Sequence, residues 1–196
     1  FEIKKAVRSG LIPLIGLYGK SGSGKTMSAL LIARGFVGAK GKIVGIDTEN
    51  GRMKIFSDLI PGGFDTIEMD APFSPQRYEE AIVVAEKVAD CIVVDSMSHE
   101  WSGEGGVLDM ADAELERMGG GDNNKMRSWI KPKMQHKMMI QRLLRVKCPL
   151  ICCLRGEEKT HVEKPVVSYK QEGDSMLYPP TPQYGKGKAK VVTDDF

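Results

Sequence analysis

Apolar positions gather in five short runs: residues 11–18 (LIPLIGLY), 42–47 (KIVGID), 65–69 (DTIEM), 91–95 (CIVVD) and 150–154 (LICCL). Four of these carry aliphatic or β-branched stretches without strict alternation. Strands covered on both faces of a parallel sheet have this pattern. Between the runs lie segments 25–36, 74–88, 107–118 and 132–146, each long enough for a helix. Ser74 followed by Pro75 is a strong helix start. In 107–118, Leu108, Ala111, Leu115 and Met118 share one face, while Asp109, Asp112, Glu114 and Glu116 point away. The alternation of strand and helix predicts an α/β fold, a three-layer domain with a mostly parallel central sheet flanked by helices.

Two stretches interrupt the pattern. Residues 119–124 (GGGDNN) read as a flexible surface loop between helices. Beyond Arg155 the chain turns polar, with a candidate hairpin at 166–170 and 175–178. The expected organisation is one domain over residues 1–178 and a Pro-, Gly- and Lys-containing tail over 179–196.

Composition narrows the classes. A chain of 196 residues suffices for one domain with its own core plus a tail. A net charge of +2 selects no class of partner. No run approaches the ~20 apolar residues of a membrane span. The opening FEIKKAVRSG has no apolar signal core, so a cytoplasmic protein is expected; it also begins without Met, as a trimmed or partial chain would. Cys91, Cys148, Cys152 and Cys153 sit in apolar runs and form no CxxC pair, which points to core thiols and away from zinc.

The chemistry concentrates after the first run. Gly19, Lys20, Ser21, Gly22, Ser23, Gly24, Lys25 and Thr26 read GKSGSGKT, which fits the phosphate-loop pattern G-x-x-x-x-G-K-[ST] between a strand and a helix. Its glycines let backbone N–H groups close around phosphates, and the helix N-terminus adds partial positive charge. Lys25 is expected at the β/γ-phosphates of ATP and the Thr26 hydroxyl on Mg²⁺. Lys20 stands where partition-type ATPases carry an extra lysine, although Ser21 replaces their glycine; the other reading is a variable loop position.

Two later runs end in acids. Asp95, closing CIVVD, suits a Mg²⁺ ligand acting directly or through water, with Ser96 assisting, or else a strand cap. Asp47 and Glu49 end KIVGID-TE. A parallel sheet puts its strand ends on one edge, so Glu49 is a candidate for polarising the attacking water; the alternative is an ordinary solvated loop. Glu100 and Glu104 compete for that role, and Glu49 ranks first because its strand end is expected nearer the loop.

A phosphate loop, then IDTE (46–49), a strand and helix, then CIVVDS (91–96) resembles the RecA-like recombinase ATPases over roughly residues 11–155. The segment 67–81 (IEMDAPFSPQRYEEA) resembles that family's passage into the Asp-bearing strand. DTENGR, DSMSHEW with GEGG, and CCLRGEEK are most similar to small phage-encoded RecA-like ATPases. The resemblance implies a P-loop NTPase fold, ATP hydrolysis with Mg²⁺, Glu49 as catalytic base and Asp95 at the metal. It also implies action on single-stranded DNA in recombination, annealing or repair, in a ring or filament of identical subunits or beside a phage recombination partner, in the host-cell cytoplasm. No counterpart of the bacterial recombinase's N-terminal helix or C-terminal DNA-gathering domain is seen, and Leu154-Arg155 replaces its polar sensor glutamine. Nucleotide chemistry therefore carries over better than strand exchange.

Arg155 ends the last run. It is a candidate catalytic cation for γ-phosphate charge, or else a surface partner of Glu157 or Glu158. From Asn123 to Gly156 there are nine Lys or Arg and no acid, whereas Asp95 to Asp122 holds eight acids and one Arg. The basic stretch could contact nucleic-acid phosphates, with Trp129 stacking on a base, or pair with the acidic helix before it. His99, His136 and His161 form no ligand or nucleophile pattern. Two further classes stand beside the DNA-acting ATPase: a partition-type switch using Lys20 across a dimer, and a small-molecule phosphotransferase, for which no Arg-rich lid is visible.

Overall fold

A computed structural model describes residues 2, 3, 5 and 11–156. The candidate hairpin, the tail, Glu157, Glu158 and His161 lie outside the described residues. Five strands form one sheet: β1 (Leu14–Gly19), β2 (Ile43–Asp47), β3 (Asp65–Glu68), β4 (Cys91–Asp95) and β5 (Leu150–Arg155). Every pairing is parallel, and the order is β1-β5-β4-β2-β3.

Strand alternation sends side chains into two cores. Val44, Ile46, Ile92, Val94, Leu150 and Cys152 face one side, where they meet Tyr78, Ile82 and Ala85 of α2 (Pro75–Glu86) and Met139 and Leu143 of α6 (Ile130–Leu143). Ile43, Cys91, Val93, Ile151 and Cys153 face the other, against Ala29, Leu30 and Ala33 of α1 (Lys25–Val37) and Met53 of a 3₁₀ helix, Arg52–Leu59. This is the expected three-layer arrangement. Fully burying an aliphatic side chain such as Leu30 contributes about 1.5–3 kcal/mol. All four cysteines are free and buried, and burial pushes the thiols of Cys91 and Cys152 up to about 12. No helix among the described residues is long and apolar enough to cross a membrane.

Local chemistry sets the element ends. Ser74 Oγ accepts the Arg77 N–H, capping α2 as its sequence suggests. At the far end of α1, buried Arg34 donates to the carbonyls of Gly38 (2.6 Å), Gly41 (2.8 Å) and Gly63 (2.5 Å), stitching two loops to the helix.

Among the described residues there are three further helices: α3 (Ser98–Ser102), α4 (Val107–Arg117) and α5 (Asp122–Ser128). The GGGDNN stretch is therefore loop only over its glycines, since Asp122, Asn123 and Asn124 open α5. The strand β1 also differs from expectation. Among the described residues it pairs on one side only, and its outer face leaves Leu14 and Tyr18 exposed.

Candidate active site

Parallel pairing brings the chemical residues to one rim. Gly19 is in register with Arg155, and Asp47 with both Asp95 and Glu68. Because β5 lies between β1 and β4, Arg155 is delivered between the phosphate loop and Asp95. A cleft of about 280 Å³ opens there, lined by Ser21, Gly22, Gly24, Lys25, Thr26, Glu49, Arg52, Ile55, Phe56, Asp95 and Arg155.

The loop is shaped by two residues in the left-handed region, Gly22 at φ 80° and Gly24 at φ 84°. A side chain at either would strain the turn that points backbone N–H groups inward. Gly24 precedes α1 with no side-chain cap, so the first N–H groups of the helix remain available to an anion. Lys25 folds back over the loop, its Nζ donating to Gly19 O at 2.8 Å and Lys20 O at 2.7 Å.

Thr26 Oγ1 donates to Asp95 Oδ2, joining the first turn of α1 to the end of β4. Burial raises the Asp95 carboxyl above its usual value, and the negative charges of Glu49 and Asp47 add to this, against the Thr26 hydrogen bond and the Lys25 charge. Adjacent hydroxyl and carboxylate oxygens fit Mg²⁺, which takes one or two protein oxygens and completes its shell with water and phosphate. A cation there also relieves the repulsion among three neighbouring acids. Among the described residues there is no cluster of three or more His, Cys, Asp or Glu suited to holding a metal.

Asp47 and Glu49, two residues apart, do different things. Buried Asp47 accepts the Glu49 N–H at 2.7 Å and the Met53 N–H at 2.8 Å, so it holds the turn into the 3₁₀ helix. Glu49 lines the cleft, where Oε1 accepts from Arg155 Nη2 at 2.6 Å and Nε at 3.2 Å, and Oε2 from Arg52 at 3.4 Å. Burial pushes its carboxyl up, but Arg155 and then Arg52 outweigh burial and hold it below the usual carboxylate range.

Glu100 stands elsewhere. It is 2% exposed, and His136 of α6 bonds both its oxygens at 2.9 and 3.0 Å. Glu104 is exposed and absent from the cleft wall. Trp129 packs at 6.1 Å from Trp101, with Lys133 Nζ 5.4 Å above its ring. Of the basic stretch, Arg142 pairs with Glu86 of α2, whereas Lys125, Arg127, Lys131, Lys133, Lys137 and Arg145 are exposed.

Sequence reasoning had no signal for Arg52 beside Glu49, or for the apolar wall of Ile55 and Phe56. It also missed buried Thr48, which bonds across to the turn after Asp95: Thr48 N donates to Asp95 O at 2.8 Å, and Thr48 Oγ1 accepts from Ser96 N at 2.9 Å. The Asp95–Ser96 peptide in that turn is cis.

A family model described as an AAA domain matches residues 13–179. No curated protein matches the chain.

Proposed function

The chain belongs to the AAA domain family, and from that premise we propose that it is a Mg²⁺-dependent ATPase of RecA-like type acting on single-stranded DNA. The observation that carries the hydrolytic part is convergence. Lys25, Thr26, Asp95, Glu49 and Arg155, drawn from four separate segments, line one cleft.

In this reading the phosphate loop and the N-terminus of α1 hold the nucleotide's phosphates. Lys25 exchanges its two loop carbonyls for β/γ-phosphate oxygens. Thr26 and Asp95 hold Mg²⁺, which when bound neutralises phosphate charge. Glu49 orients the attacking water and takes its proton. Arg155, which bonds Glu49, stabilises charge on the transferring phosphoryl group.

The DNA part rests on the exposed Lys and Arg of α5 and α6, which suit a phosphate backbone. Trp129 is engaged with Trp101 and Lys133, so base stacking is not assigned to it. Assembly into a ring or filament of identical subunits in phage-type recombination, annealing or repair belongs to the same reading. So does the host-cell cytoplasm as its location.

The test is ATP turnover with and without single-stranded DNA across a salt series. Turnover that rises with DNA, and a DNA affinity that falls as salt increases, are expected. Turnover indifferent to DNA would leave the hydrolase and remove the DNA partner. Rapid phosphate transfer to a nucleoside or sugar would replace hydrolysis by phosphotransfer.

A further inference from the structure

We propose that His99 is a positioning residue for hydrolysis, acting through Thr48 to fix Glu49 relative to Asp95; this rests on the ATPase reading above. His99 is not among the residues that line the cleft. Its Nδ1 lies 2.8 Å from Thr48 Oγ1, across 51 residues of chain.

Thr48 Oγ1 is the meeting point of three hydrogen-bonding groups, Ser96 N, Ser96 O and His99 Nδ1. Thr48 Oγ1 already accepts the Ser96 N–H at 2.9 Å, and it has one proton to give. Two further groups are in reach: Ser96 O at 3.2 Å and His99 Nδ1 at 2.8 Å. Ser96 O is also served by the Tyr78 hydroxyl at 2.7 Å. Ser96 O has a second lone pair, so two arrangements satisfy every partner: Thr48 Oγ1 donates to His99 Nδ1, or it accepts from the His99 ring N–H and donates to Ser96 O. Burial first, and then the nearby Arg155 charge, lower the His99 pKa and favour the neutral imidazole.

Thr48 is thus bound through both its N–H and its hydroxyl to the turn that follows Asp95. The next residue is Glu49, whose own N–H is held by Asp47. Together these bonds leave the Glu49 backbone little freedom relative to Asp95. Removing the imidazole leaves the Thr48 hydroxyl its two bonds to Ser96 and takes away its anchor on α3. An error of about 1 Å in a reacting group's placement costs as much as 10²-fold in rate.

The competing role for His99 is packing, since its ring lies 5.1 Å from that of Phe73. Two substitutions separate the roles. His99→Asn places an amide oxygen near the position of Nδ1 and gives up the ring. His99→Phe keeps a ring and gives up the hydrogen bond to Thr48. The experiment measures kcat, KM and equilibrium ATP affinity for both and for the wild type. His99→Phe is expected to lower kcat roughly 10- to 100-fold, with ATP affinity and KM retained, while His99→Asn restores most of the rate.

The proposal is overturned if His99→Phe turns over normally, if it fails to bind ATP, or if His99→Asn is impaired as severely. A wild-type protein with no ATP turnover removes the ATPase reading and this role together. Normal wild-type turnover with a fully active His99→Phe removes this role alone.

Discussion

Neighbouring cations hold the Glu49 carboxyl below its usual value. Burial alone would raise its pKa, yet the two hydrogen bonds and the charge of Arg155, with help from Arg52, bring it down. Both partners are partly exposed, with side-chain exposures of 38% for Arg155 and 17% for Glu49, so solvent screens part of the effect. The sign of the consequence is nevertheless fixed. Replacing Arg155 by Gln removes the largest stabiliser of the carboxylate and raises the Glu49 pKa. The base then becomes protonated at a higher pH as acid is added. The pH profile of kcat/KM reports groups of the free enzyme. The acid limb of that profile is expected to move upward in Arg155→Gln. A limb that stays in place, or moves downward, would show that Arg155 does not tune the base.

Among the elements, α1 carries two unrelated duties at its two ends. Its first turn faces the cleft, and its last turn is clasped by Arg34 to the carbonyls of Gly38, Gly41 and Gly63. Arg34→Met takes a charged donor from three carbonyls on partly exposed loops, at a cost of about 1–3 kcal/mol. Denaturant titration is expected to show that loss while equilibrium ATP binding stays at the wild-type level. Unchanged stability, or weakened ATP binding at full stability, would contradict the division. The long elements were legible in the sequence. Residues 91–95 match β4 at both ends, and Ser74-Pro75 marks the start of α2. The short ones were not. The 3₁₀ helix, α3 and α5 span 8, 5 and 7 residues, too few for apolar periodicity to show. Glycines 119–121 signalled a loop, and the signal was spread too far, over the polar first turn of α5.

For the whole molecule, the informative feature is strand order, which no local pattern encodes. Apolar runs announced five strands, four of them leading into chemical residues, but not that β5 inserts between β1 and β4. That insertion seats Arg155 beside both Gly19 and Glu49. The Thr48–His99 contact is hidden for the same reason, since it joins residues brought together only by the pairing of β2 with β4. The loop motif and the acidic strand ends were readable because each is local to a few residues. Glu100 shows the limit of local reading. Adjacent in sequence to the Asp95 strand, it turns to His136 of α6 and away from the cleft. The account as a whole therefore depends on Glu49 directing water at a nucleotide held by the phosphate loop. Phosphate release from Mg²⁺-ATP, measured beside equilibrium ATP affinity for the wild type, Glu49→Gln and Glu100→Gln, tests this most directly. The account predicts that Glu49→Gln binds ATP as the wild type does but loses roughly 10²- to 10⁴-fold in turnover, while Glu100→Gln keeps most of its rate. Wild-type turnover in Glu49→Gln, with the loss falling on Glu100→Gln, would contradict it.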